Sequence, residues 1–248
     1  MTEQFTFGHH SVEALLRTHH SRVLRLYVQQ GREDQKITAL LKLAASHSIP
    51  VEPLSKQALD SMTDEANHQG IIAVCAKMQT YTENDLASLL ENLTAAPFLL
   101  ILDGVQDPHN LGACLRSANA AGVHAVIAPK DKAVGLTPAV TKVASGAAET
   151  TPFIQVTNLV RTIEKLKAAG IWIYGACGEA EQTLFQTDLS GPLAIVLGAE
   201  GTGLRRLTRE HCDVLLKIPM HGMVSSLNVS VAAGVFMFEV VRQRSLSK

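Results

Sequence analysis

Three clusters of polar residues in this 248-residue chain have the types and spacing to do chemistry. The first is Gly198-Ala199-Glu200-Gly201-Thr202-Gly203, directly after the apolar run Leu193–Leu197. Glycines let a backbone approach a ligand closely. A carboxylate between them is a poor guest where a sharp turn alone is needed. The spacing is G-x-x-G-x-G; the dinucleotide fingerprint is G-x-G-x-x-G, and the P-loop ends in Gly-Lys-Ser/Thr. Neither pattern is present, so phosphate cradling of those kinds is unsupported. The second cluster follows Val214–Ile218 and holds Pro219, His221, Gly222, Ser225, Ser226 and Asn228. Its hydroxyls and amide offer donors and acceptors, and one of the two serines is expected to cap the helix that follows. The third runs from Asn110 to Arg116 in a segment otherwise made of small residues. Small residues imply close packing, and a guanidinium on such a helix calls for an anionic partner.

The elements that must position these clusters alternate between strand and helix. Residues 1–77 read as a small α/β unit. Helical spacing covers Val12–Leu16 and Gln35–Ala45, and Ser55 is a plausible cap for a helix over Lys56–Met62. Strand formers cover Val23–Val28, Val51–Leu54 and Ile71–Ala76. Residues 78–97 change character and read as a linker carrying one helix at Asp85–Leu93. From Phe98 the chain repeats strand, loop and helix. Phe98–Asp103 is a continuous apolar strand, the mark of a sheet covered on both faces. Asn110 is expected to cap a helix reaching Ala121. Further strands are expected at Ala125–Ala128, Ile171–Ala176, Leu193–Leu197 and Val214–Ile218. Helices are expected at Thr137–Gly146, Asn158–Ala169 and Asn228–Arg244. This alternation predicts a parallel, doubly wound α/β domain over 98–248. In such a sheet ligands bind beyond the carboxyl ends of the strands, which is where both loops of the 193–231 stretch fall.

Composition narrows the classes further. Hydrophobic residues make up 46% and charged residues 18%, enough apolar material for a sizeable core. No apolar run approaches the ~18–20 residues of a membrane span, and the opening MTEQFTFGHH lacks the pattern of a signal peptide. Cys75, Cys114, Cys177 and Cys212 show no CxxC spacing, so they read as reduced thiols and not as a zinc or disulfide framework. A cytoplasmic protein without metal is the expectation. The formal net charge of −1 leaves any nucleic-acid contact to a local basic face. Arg17, Arg22, Arg25 and Arg32 could form one in the first unit.

With order and spacing considered together, the three clusters resemble the motifs of the SpoU/TrmH class of RNA ribose 2′-O-methyltransferases. The matches are Asn110-x-Gly112…Arg116-x-Ala118, then Leu197-Gly198-x-Glu200-x-x-Gly203-Leu204, then Ile218-Pro219-Met220…Ser225-x-Leu227-Asn228-Val229-Ser230-x-Ala232. Phe7-Gly8-His9-His10-Ser11-Val12 with His68-Gln69-Gly70-Ile71 resembles the small substrate-binding domain of many members, so the likeness spans the whole chain. The resemblance implies an α/β-knot (SPOUT) catalytic domain with a deep trefoil knot, S-adenosylmethionine as cofactor and a homodimer sharing its site. It implies backbone groups of Gly198, Ile218 and Leu227 around the cofactor, and Arg116, Asn110, Glu200, Ser226 and Asn228 as the catalytic set. It assigns Arg116 as the base. A guanidinium stays protonated, so a clamp on the adjacent phosphate and developing alkoxide is the alternative role. Within the class the likeness points to a guanosine ribose of 23S, large-subunit ribosomal RNA, in the peptidyl-transferase region, with transfer RNA as the alternative substrate. RNA recognition by the N-terminal unit is a further expectation.

Overall fold

The computed structural model describes residues 4–18, 20–32, 34–76 and 81–246. The expected junction between residues 77 and 78 lies outside them. Two compact units divide the chain: Met1–Gln79 with Leu136–Thr150, and Thr80–Gly135 with Thr151–Lys248.

In the first unit, β1 (Gln4–Phe7), α1 (His9–Thr18), β2 (Val23–Gln29), α2 (Gln35–Ser46), β3 (Val51–Leu54), α3 (Lys56–Met62) and β4 (Ile71–Cys75) follow one another. The strands form one sheet in the order β1-β4-β2-β3, with β4 antiparallel to both neighbours and β2 parallel to β3. β4 is buried throughout, and Val12, Leu15, Leu16, Leu26, Ile37 and Leu40 pack with it into one core. Burying each such side chain stabilises by roughly 1.5–3 kcal/mol. Ser55 caps α3 as its type suggests, its hydroxyl accepting from the Ala58 N–H. The His68-Gln69-Gly70 turn is a clip. His68 is buried; its Nδ1 accepts from the Gly70 N–H at 3.0 Å, which leaves Nε2–H to donate to Asp60 at 2.9 Å. The Gln69 side chain accepts from the His9 N–H at 2.8 Å, satisfying an orphan donor at the start of α1.

The four arginines read as a basic face each meet a carboxylate. Arg17 pairs with Glu13 at 2.9 Å, Arg22 with Glu149 at 2.8 Å, Arg25 with Glu52 at 3.8 Å and Arg32 with Asp34 at 3.0 Å. Their charge is therefore largely compensated within the unit.

Along the second stretch of chain come α4 (Glu83–Glu91), β5 (Phe98–Asp103), α5 (Pro108–Ala120), β6 (Ala125–Pro129), α6 (Pro138–Ala144), α7 (Ala147–Thr150), β7 (Phe153–Val156) and α8 (Leu159–Ala168). Then follow β8 (Trp172–Ala176), β9 (Gln182–Thr183), β10 (Leu193–Gly198), α9 (Arg206–His211), β11 (Val214–Lys217) and α10 (Val229–Leu246). Seven strands form one sheet, β7-β6-β5-β10-β8-β11-β9, and every pairing is parallel. All six residues of β5 are buried, as a sheet covered on both faces requires. The parallel α/β expectation holds.

Two local expectations give way. Asn110 does not cap α5: Asp107 does, accepting from the His109 N–H, and Pro108 occupies the first turn, where a missing N–H costs nothing. The helix expected over 137–146 breaks at Ser145 (φ 51) and Gly146 (φ 91), then resumes as α7. A β-carbon at Gly146 would collide with the Ala14 side chain, so glycine is required there. The α6–α7 stretch therefore belongs with the first unit, where Lys142 sits over the Phe7 ring at 5.7 Å. The strands β1, β7 and β9 have no counterpart in the sequence reading.

Candidate functional site

The carboxyl ends of β8, β10 and β11 enclose a cleft of ≈ 700 Å³. Its three walls are Ala176–Gly178, Leu197–Gly203 and Leu216–Met220, and Ser225–Leu227 with α10 close it. Gly198, Ile218, Leu227 and Ser226, expected at the site, all line it.

The glycine loop is held shut by its own backbone. Ala199 and Gly203 pair across it, with the Gly203 N–H donating to the Ala199 carbonyl at 2.9 Å. A β-carbon at Gly198 would collide with the Gly203 carbonyl, so only glycine fits where β10 ends. Gly201 (φ 81) and Gly203 (φ 65) occupy the left-handed region that glycine tolerates best.

Beside the cleft, three of the expected polar residues join in one directed chain. Asn228 precedes α10 and caps it: its Oδ1 accepts from the Ser230 N–H at 2.9 Å and from the Ser230 hydroxyl at 2.6 Å. The cap was expected from Ser225 or Ser226; both are exposed on the loop instead. Because Oδ1 is committed to the helix, Nδ2 of Asn228 is free to donate outward, and it donates to Asn110 Oδ1 at 2.9 Å. That fixes the Asn110 amide in turn, and its Nδ2 donates to Glu200 Oε2 at 3.2 Å. Every link follows from the donor and acceptor inventory of the two amides. Residues 110, 200 and 228 come from three elements, and α5 packs against α10 to bring two of them together.

Arg116 stands on the same α5, exposed, nearly two turns beyond Asn110. Cys114, one helical face away, is fully buried, and burial pushes its thiol up to about 12, so it stays protonated and inert.

Two features were not singled out from the sequence. The Asp103 side chain is fully buried at the end of β5 and takes Arg205 by two contacts, backbone N–H to Oδ2 at 2.9 Å and Nε to Oδ1 at 2.6 Å. This ties the exit of the glycine loop to the neighbouring strand, since Asp103 pairs in register with Gly198. Lys217, the last residue of β11, also lines the cleft. The only signal for either was an ionisable residue closing an apolar run.

The donor set fits a nucleoside carrying an amino-acid tail. The cleft has the volume of a small-molecule site, walls of mixed polar and apolar surface, and strand-end backbone at Gly198, Ile218 and Leu227. Among the described residues no His/Cys/Asp/Glu group could hold a metal ion, and no helix is long and apolar enough to cross a membrane.

Comparison with known proteins gives a consistent picture. The SpoU rRNA Methylase family matches residues 97–238, and the RNA 2′-O ribose methyltransferase substrate binding family matches residues 5–81. The chain is 55% identical over 239 residues to the 23S rRNA (guanosine-2′-O-)-methyltransferase RlmB of Pseudomonas aeruginosa, covering 96% of each chain. It is 54% identical over 242 residues to the protein of the same name from Escherichia coli, covering 98% of this chain and 99% of that one. Among solved structures, the SpoU methyltransferase AviRb from Streptomyces viridochromogenes, in complex with AdoMet, shares the fold with a TM-score of 0.82 at 23% identity. That match covers 99% of this chain and 92% of AviRb. The A. aeolicus TrmH/SpoU tRNA modifying enzyme matches with a TM-score of 0.56 at 29% identity, over 66% of this chain and 85% of its own.

Proposed function

The chain belongs to the SpoU rRNA methylase family, and from that premise we propose that it methylates the ribose 2′-hydroxyl of a guanosine in 23S ribosomal RNA, with S-adenosylmethionine as donor. The observation that carries this reading is the convergence of the cleft and the Asn228–Asn110–Glu200 chain at the strand ends. Full-length identity to RlmB proteins supports the ribosomal substrate over transfer RNA, because the tRNA-modifying neighbour matches only two thirds of this chain.

The cofactor, when bound, supplies a methyl group already activated on a sulfonium, so the protein's task is chiefly positioning. Gly198 lets the loop fold back on Gly203, and its backbone lines the cleft where the ligand would lie. Backbone groups of Ile218 and Leu227, which line other walls of the cleft, would hold it there. Ser226, exposed at the cleft mouth, meets the incoming RNA. The amide chain orders Glu200 and presents a fixed polar edge to the ribose. The Arg116 side chain is a guanidinium, a group that does not serve as a proton acceptor in proteins. Its role is therefore to hold the adjacent phosphate and to stabilise the negative charge that grows on the 2′-oxygen; the released proton leaves to water or to a neighbouring acceptor.

The same reading carries a homodimer. Val231 and Phe238, seven residues apart on one face of α10, are both about half exposed (52% and 49%) and suit a partner subunit. It also carries the trefoil knot near the C-terminus and a cytoplasmic location. The test is transfer of labelled methyl from the cofactor to unmodified RNA. Large-subunit ribosomal RNA is expected to take the label and transfer RNA to stay unlabelled. The reverse would move the substrate, and no label on either RNA would sink the reading.

A further inference from the structure

We propose that Lys217 is a cofactor-binding residue that reads the carboxylate of the donor's methionine tail. This rests on the assignment of the strand-end cleft to S-adenosylmethionine. Among the residues lining that cleft Glu200 is the one acidic and Lys217 the one basic side chain. Glu200 is engaged by Asn110. Lys217 is half-buried at the end of β11, opposite Thr183 of β9, and among the described residues no carboxylate lies within 4.0 Å of its ammonium. Of the other lysines described in the same unit, Lys165 meets Glu83 at 3.2 Å and Lys167 meets Asp213 at 2.7 Å, while Lys130 and Lys132 are exposed and have no carboxylate partner among the described residues; Lys217 is the unpaired one that lies half-buried in the cleft.

A partly desolvated ammonium is stabilised by an anion that enters its surroundings. The donor offers one. Of its three charged groups, the sulfonium and the ammonium are repelled by Lys217, and the carboxylate alone is complementary. A lysine here thus sets which way the tail lies in the cleft. It also discriminates for a nucleoside that carries an amino-acid tail over one that lacks it. The other anion within reach of such a site is an RNA phosphate, which makes a different pattern of losses.

Calorimetric titration of the full chain separates these. The ligands are S-adenosylhomocysteine, which keeps the carboxylate, and 5′-methylthioadenosine, which lacks it. Lys217→Met is expected to weaken S-adenosylhomocysteine about tenfold while changing 5′-methylthioadenosine less than about twofold, the size of one partly exposed charge-assisted contact. Lys217→Arg is expected to retain most of the affinity, and added salt should narrow the gap between wild type and Lys217→Met. Equal losses for both ligands would mean a structural role and overturn the proposal. Unchanged S-adenosylhomocysteine binding with weakened RNA binding would assign Lys217 to phosphate and overturn it too. Wild-type protein that binds neither nucleoside would remove the cofactor assignment itself, an outcome distinct from either.

Discussion

At Asn228 one amide serves two elements: its oxygen caps α10 and its nitrogen starts the chain to Asn110 and Glu200. Asn110→Asp tests the direction of that chain. The variant keeps the shape of the side chain but loses the Nδ2 donor and sets a carboxylate against Glu200. Turnover is expected to fall about 100-fold, as for a small misplacement of reacting groups, with cofactor affinity little changed; a drop in affinity alone would contradict the assignment. The residue types of this site were legible in the sequence, because loops after apolar runs concentrate them. Their bonding was not, because Asn110 is 90 residues from Glu200 and 118 from Asn228. Nor did Asn110 announce itself as a buried member of the first turn: Asp107, three residues earlier, is an equally good cap, and it wins because Pro108 follows it.

Elements with strongly patterned runs were readable, and short ones only where turn residues bound them, as Pro50 and Ser55 bound Val51–Leu54. Phe98–Asp103 and Lys56–Met62 were expected with the bounds they have. The equally short β1 and β7 carry too few positions to show alternation, and no clear turn signal sets them off. The α6–α7 break was hidden because its cause, Ala14 against Gly146, is a contact between distant residues. The same stretch carries Glu149, whose side chain is only 1% exposed and bonded to Arg22 at 2.8 Å. Burial pushes the Glu149 carboxyl above its ordinary 4.5, and Arg22 opposes the rise. A carboxyl whose folded value exceeds its unfolded value contributes stability that is full below the unfolded value and is lost as pH rises through the folded one. Arg22→Ala removes the opposing cation and leaves a buried charge. It is expected to cost about 3 kcal/mol at pH 7 and less at pH 5, because protonation of the buried carboxyl grows as pH falls. Urea denaturation at the two pH values checks this, and a deficit independent of pH would refute the pairing argument.

At the scale of the whole molecule, the N-terminal unit is not a segment that can simply be cut away. Val140, Ala144, Ala147 and Ala148 are buried within the unit that residues 1–79 form with 136–150. A chain lacking residues 1–77 is expected to bind a hydrophobic dye and to melt at lower temperature than the full chain; an unchanged melting curve would contradict this. That dependence was not visible in the sequence, where 136–150 reads as one more helix of the second domain. The parallel sheet and its strand-end site were visible, since apolar runs ending in polar loops carry both signals at once. The central claim, that this site methylates a ribose hydroxyl, is tested most directly at the product. Unmodified 23S ribosomal RNA labelled by the protein is digested and the labelled nucleoside identified, with Arg116→Ala run beside wild type. The label is expected in 2′-O-methylguanosine, with Arg116→Ala slower by about 10²–10³-fold. Label on a base, or an Arg116→Ala protein as fast as wild type, would contradict the account.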